Sequence, residues 1–200
     1  MSGDGPGPGL GLDNLSVADA RDGLASLDDR SVDCILTSPP YWGTRGYDVG
    51  RVTWSDGSAV ALGLEPDVET YLDHLGEVFG QVERVLKDSG TVWVNLGDVY
   101  ASGNRNRMLR DHSSTQHTHR HATPILDKSL CLIPERFALR MSQCGWILRN
   151  KIVWAKANHA PSSVKDRFTC GWEHLFLFVK SPRYSFDLDA VRVPHATNPP

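Results

Sequence analysis

The run Thr37-Ser38-Pro39-Pro40-Tyr41-Trp42 follows directly on the apolar segment Val32 to Leu36. That segment reads as a buried strand. Proline fixes its own φ and restricts the residue before it, so the strand must end there and the chain stays extended through the pair. Two prolines supply no N–H donors, and their carbonyls are held in place at little further entropic cost. Ser38 adds a hydroxyl that can also accept, and Tyr41 and Trp42 add flat aromatic faces. The expected product is a slot for a planar ring bearing an –NH2 group, in which the ring stacks and the amine donates both hydrogens.

Such a slot has a chemical use. The exocyclic amine of cytosine or adenine is a poor nucleophile because its lone pair is delocalised into the ring. Two fixed acceptors favour a pyramidal amine and free that lone pair for in-line attack on a methyl donor. Methylation at carbon 5 of cytosine instead needs a Cys nucleophile, commonly in a Pro-Cys pair, and the chain has no Pro-Cys dipeptide.

The flanking pattern places this slot in an α/β fold. Leu15 to Ala18 is a short apolar stretch, counted as the first strand. Asp19 to Asp28 has a modest helical pattern, with Asp19 a possible N-cap. Gly43 to Pro66 reads as loop. Asp67 suits the N-cap of a helix over Val68 to Lys87, whose apolar residues from Val68 to Leu86 share one face, with Gly90 closing its end. Thr91 to Leu96 reads as a strand, residues 134–143 as a helix led by Pro134, and Trp146 to Ala155 and Trp172 to Lys180 as a strand pair. Alternation of this kind predicts a sheet that is parallel at first and ends in an antiparallel pair. Ligands of such sheets bind beyond the carboxyl ends of the strands, here Asp19, Thr37 to Trp42 and Asn95 to Asp98. Trp93, Trp146, Trp154 and Trp172 are expected in the core.

Composition narrows the class. Two hundred residues, 40% hydrophobic and 22% charged, suit one globular domain and exclude a coiled coil or a collagen-like chain. No apolar run reaches the roughly 18 residues of a membrane span, and residues 1–13 form a Gly/Pro-rich tail, expected to be flexible, without a signal peptide's apolar core. The net charge of −3 does not announce nucleic acid. A mildly acidic chain can still hold a local basic groove: in the His/Arg-rich loop over 101–127, Arg105, Arg107, Arg110 and Arg120 stand against Asp111 between Gly103 and His121, which reads either as solvated charge or as a DNA contact. The loop's histidines have no Cys nearby and read as a solvated segment, so no metal site is expected. Four dispersed cysteines, Cys34, Cys131, Cys144 and Cys170, fit a reducing cytoplasm.

Asp33 to Trp42 resembles motif IV of the β-class DNA amino-methyltransferases, enzymes mostly of restriction–modification systems. Ser-Pro-Pro-Tyr is typical of their cytosine-N4 type; adenine-N6 enzymes more often have Asp or Asn in place of Ser38. Arg84 to Lys87, Gly90 to Asp98, Lys128 to Leu130 with Ile133-Pro134, Gly145 to Arg149, Trp154 to Lys156 with Asn158, and Pro161 to Arg167 resemble further blocks in order, over roughly residues 14 to 194. The resemblance implies a Rossmann-like fold, S-adenosylmethionine as cofactor, double-stranded DNA as partner, base flipping, and a bacterial, archaeal or phage source. It implies that Ser38 and the Pro39 carbonyl, in the loop continued by Pro40, accept from the target amine and that Tyr41 stacks on the base. Asp19 and Thr37 would serve the cofactor; Arg105, Arg107, Arg110, Lys156, Asn158 and Arg167 would serve DNA. An adenine-N6 enzyme, or an inactive DNA-binding remnant, is the alternative.

One family element is missing. The Phe-x-Gly-x-Gly turn that holds the methionine end of the cofactor does not occur; the only Gly-rich run is the tail Gly3 to Gly11. Residues 14–200 are therefore expected to be the N-terminal portion of a catalytic domain with an incomplete fold. A complementing chain would carry the glycine motif, and the Val32 strand is expected at an unpaired edge.

Overall fold

The computed structural model describes residues 15–43, 50–101, 125–159 and 161–193. The 1–13 tail, Arg105, Arg107, Arg110 and most of the basic 101–127 loop lie outside the described residues.

A four-stranded sheet organises the chain. It comprises β1 (Val32–Thr37), β4 (Leu86–Leu96), β5 (Ile147–Ala155) and β6 (Trp172–Val179), in the order β1-β4-β6-β5. β1 and β4 are parallel, with Thr37 opposite Val94; β6 runs antiparallel to both β4 and β5. This is the expected α/β arrangement with a terminal antiparallel pair, except that the last strand inserts between its predecessors.

The helices are α1 (Ala20–Ala25), α2 (Val68–Val85) and α3 (Ile133–Gln143). Asp67 caps α2 as expected, accepting from the Thr70 N–H at 2.9 Å. The apolar stripe of α2 packs with α3 and the sheet: Tyr71, Leu72, Leu75, Phe79 and Val82 meet Phe137, Val92, Val94, Phe176 and Phe178 in one buried cluster. Phe137 makes edge-on contacts with Phe79 and Phe178, at centroid distances of 5.0 and 6.0 Å.

Three sequence expectations are corrected. Leu15 to Ala18 forms no strand; Leu15 and Val17 are almost fully exposed. Asp19 therefore does not end a strand but caps α1. Gly90 does not close α2, because the helix passes at Leu86 straight into β4, and Gly90 lies within that strand. A β-carbon at Gly90 would sit 2.8 Å from the Leu86 side chain and 2.9 Å from the Asp33 carbonyl, so the residue serves close approach of β1 and β4. The segment read as loop contains a hairpin, β2 (Val52–Thr53) and β3 (Ala59–Val60). Its Asp56-Gly57 pair was the available signal.

Among the described residues β1 bonds to β4 alone, so its outer edge is unpaired, as expected. The strand exists as expected but is not buried: no residue of β1 is fully covered and Leu36 is 74% exposed, because among the described residues only one edge has a neighbour.

Candidate active site

Past the ends of β1 and β4 lies a cleft of about 320 Å³ lined by Ser38, Pro39, Tyr41, Asn95, Trp154, Lys156 and Glu173. Four sheet strands contribute. β1 runs into the Ser38–Tyr41 loop, β4 carries Asn95, β5 carries Trp154 and leads to Lys156, and β6 carries Glu173. Inserting β6 between β4 and β5 brings residues 38, 95, 156 and 173 together.

The Tyr41 hydroxyl is the hub. It lies 2.8 Å from Asn95 Oδ1 and 2.9 Å from Glu173 Oε2, with one proton to share between two acceptors. Asn95 is oriented by its own Nδ2, which donates to the His174 carbonyl at 3.1 Å. Ser38 Oγ is 3.4 Å from Asn95 Oδ1 and directs its proton there. That leaves the serine lone pairs to accept from a donor in the cleft. Lys156 pairs with Glu173, and its ammonium lies 5.9 Å from the centre of the Trp154 ring. Burial raises the Glu173 pKa, but hydrogen bonds from Lys156 and Tyr41 and the Lys156 charge outweigh it and hold the carboxyl below its usual range. Glu173 is thus ionised near neutrality. One face of the Tyr41 ring is set by Gly97, where a β-carbon would come within 2.6 Å of Cε2.

The proline loop is supported from beneath. The Pro40 carbonyl accepts from the Tyr71 hydroxyl at 2.8 Å. Burial pushes the Tyr71 phenol far up, so it stays a donor at any ordinary pH. Of the two expected prolines Pro39 lines the cleft, while the Pro40 carbonyl is taken by the Tyr71 hydroxyl. Gly63, at φ +92°, lies under the loop and accepts from the Gly43 N–H, while its own N–H donates to Glu65. Glu65 and His74, both wholly buried, bond to each other at 3.0 Å, and Trp54 stacks on His74 at 4.1 Å. Neither was singled out in the sequence, because a polar residue in a loop (Glu65) or on an apolar helix face (His74) gives no signal until its partner is seen.

The remaining expected residues divide. Asp19 Oδ1 accepts from the Arg21 backbone and side chain, and Thr37 closes β1 without lining the cleft. Asn158 is exposed in the turn after Lys156 and outside the lining. Arg167 lies 3.8 Å over the Tyr100 ring. Trp146 is core as expected, but Trp154 and Trp172 are 51% and 42% exposed, and Trp154 is a cleft wall. Asp98 is a cap: its carboxylate accepts from the N–H groups of Val99, Leu132 and Ile133 at the start of α3.

A family model described as DNA methylase, covering N6 and N4 methyltransferases, matches residues 32–199. The chain belongs to the N6/N4 DNA methylase family. Among its relatives, the type II methyltransferase M.SfiI of Streptomyces fimbriatus is 40% identical over 92% of this chain and 40% of its own length. M.Cfr9I of Citrobacter freundii is 42% identical over 89% of this chain and 58% of its own. The fold matches PvuII DNA methyltransferase (cytosine-N4-specific), with a TM-score of 0.61 and 20% identity over 92% of this chain and 54% of that one. It also matches a DNA modification methylase of Thermus thermophilus, TTHA0409, solved with S-adenosyl-L-methionine, with a TM-score of 0.55 and 24% identity over 89% of this chain and 59% of that one. The chain spans about 40 to 60% of the length of these four relatives.

Proposed function

We propose that this chain is the target-base part of an S-adenosylmethionine-dependent DNA methyltransferase acting on the exocyclic N4 of cytosine in duplex DNA. The observation that carries the reading is the convergence of Ser38, Pro39 and Tyr41 with Asn95 in one cleft. The flipped base stacks on Tyr41, and its amine donates to Ser38 Oγ and to the Pro39 carbonyl. Asn95 takes the serine proton and so keeps Ser38 an acceptor. A base methylated at that nitrogen would carry a positive charge until it gave up the surplus amine proton to solvent, the sulfonium donor leaving as a neutral thioether, and the ionised Glu173 in the same cleft would stabilise that charge. Serine at position 38 and the cytosine-N4-specific name of a fold relative support cytosine over adenine.

The cofactor would supply an electrophilic methyl group. On this reading the Asp19 carboxylate at the start of α1 and the Thr37 hydroxyl at the end of β1 would hold its polar groups. The unpaired β1 edge with its exposed Leu36 supports a complementing strand that carries the glycine turn and completes the cofactor site. Double-stranded DNA is the partner, approached by Lys156, Arg167 and the basic loop, in the cytoplasm of a prokaryotic host.

The test is methyl transfer from radiolabelled S-adenosylmethionine to unmethylated duplex DNA, by this chain alone and with a chain supplying the glycine motif, followed by separation of nucleosides. N4-methylcytosine is expected, and only in the mixture. N6-methyladenine as sole product would overturn the choice of base; full activity of this chain alone would overturn the need for a partner.

A further inference from the structure

β5 and β6 are joined by a connection, described over 156–159 and 161–171, whose two stems are cleft walls. Lys156 N–H donates to the Gly171 carbonyl at 2.8 Å, and Lys156 and Glu173 both line the cleft. The neck is packed: His159 Nδ1 is 3.3 Å from the Lys156 carbonyl, and a β-carbon at Gly171 would meet that ring nitrogen at 3.0 Å. The far end of the loop is braced. Asp166 pairs with Lys128 at 2.7 Å, Arg167 stacks on Tyr100 at 3.8 Å, and Arg167 also donates to the Phe168 carbonyl at 3.2 Å. Out of this tied-down frame the Phe168 ring projects 96% exposed. A large apolar ring held in water on an anchored backbone is unfavourable unless something receives it.

Three observations point to what receives it. Phe168 is three residues from Gly171, so its Cα lies within about 10 Å of the cleft's stem. It is flanked by Lys165 and by Arg167, which suits an anionic partner. On the function proposed above, the cleft at the other end of the loop takes a base out of a duplex, and removing a base leaves a gap between neighbouring base pairs. We propose that Phe168 is a wedge that enters that gap and stacks on the exposed bases while the target occupies the cleft. Apolar side chains inserted between base steps do this elsewhere in DNA recognition. The proposal rests on the DNA-methyltransferase reading above, and it assigns the loop a part that does not touch the reacting atoms.

The experiment needs no knowledge of the recognition sequence. The full chain is titrated by fluorescence anisotropy against two duplexes of one sequence, one intact and one with a single abasic site at its centre. The wild-type chain is expected to prefer the abasic duplex about ten-fold, because a ready-made gap accepts the ring without unpairing a base. Phe168→Ala is expected to bind the intact duplex within about two-fold of wild type and to lose the preference; Phe168→Trp is expected to retain it. Because the ring makes almost no contact within the fold, both variants should unfold at the wild-type urea midpoint. An abasic preference that survives Phe168→Ala overturns the wedge but leaves the DNA reading standing, as does equal binding of both duplexes by the wild type. Failure of the wild type to bind either duplex overturns both.

Discussion

Gly97→Ala tests the site without removing any functional group. The new β-carbon would lie 2.6 Å from Tyr41 Cε2, 3.0 Å from Cδ2 and 3.3 Å from Cζ. Carbon atoms rest at about 3.5 to 4 Å, so the ring must withdraw by about 1 Å. Its hydroxyl now sits 2.8 and 2.9 Å from Asn95 and Glu173, and a withdrawal of that size carries it beyond hydrogen-bond range of both. Overpacking of this kind costs about 1–3 kcal/mol, and each hydrogen bond about 1 kcal/mol, part of which water returns in a half-buried site. A loss of about 2 kcal/mol in stability is expected, too little to unfold a domain of ordinary stability. Urea denaturation followed by tryptophan fluorescence reads the loss, and methyl transfer by the complemented enzyme reads the site. Gly76→Ala on α2 is the control: nothing lies within 4 Å of its β-carbon, so it should gain about 0.5–1 kcal/mol from helix propensity. In a Tyr41→Ala background the Gly97→Ala penalty should vanish. A Gly97→Ala protein as stable and active as wild type, or a penalty unchanged without Tyr41, would refute the reasoning.

Ser38→Ala should lower turnover far more than DNA affinity, since the hydroxyl acts on the target amine; single-turnover kinetics beside a binding titration separate the two. Tyr71→Phe frees the Pro40 carbonyl and should cost about 1 kcal/mol in urea unfolding while loosening the proline loop. Burial pushes the His174 pKa down, helped by the Lys151 charge; Glu173 and Glu135 are half-buried, which pushes theirs up, but their lysine partners outweigh this and hold them below the usual carboxylate range. A depressed folded-state pKa contributes stability that is present above the unfolded value and lost as pH falls through the folded one, so all three predict loss on the acid side. Urea midpoints between pH 7 and 4 should fall, and Glu173→Gln should flatten the acid end of that curve; a curve identical to wild type would count against the Glu173 assignment. Leu36→Lys on the β1 edge should reduce self-association of the isolated chain, as read by sedimentation, and should also weaken docking of the complementing strand proposed above.

The comparison of sequence and structure turns on which interactions are local. Val32 to Thr37 and the proline pair were legible because proline acts on its own φ and on its neighbour. The α2 stripe and its Asp67 cap were legible because period and cap lie within one helix. The unpaired edge of β1 followed from the absent glycine turn. Tertiary contacts decided the rest. Gly90 has the residue type of a helix cap, yet the approach of Asp33 and Leu86 put it inside a strand. Leu15 to Ala18 has strand-like residues but no neighbour among the described residues to pair with. Asn95, Trp154 and Glu173 are remote in sequence from Ser38 and from one another; only the insertion of β6 between β4 and β5 gathers them around the Tyr41 hydroxyl. Sequence alone determined the parts of the proline loop, since two stiff prolines, a hydroxyl and two aromatic rings are a property of six consecutive residues. Structure alone decided which proline lines the cleft, which groups orient the serine, and which ring points outward, because each depends on partners that strand order brings together.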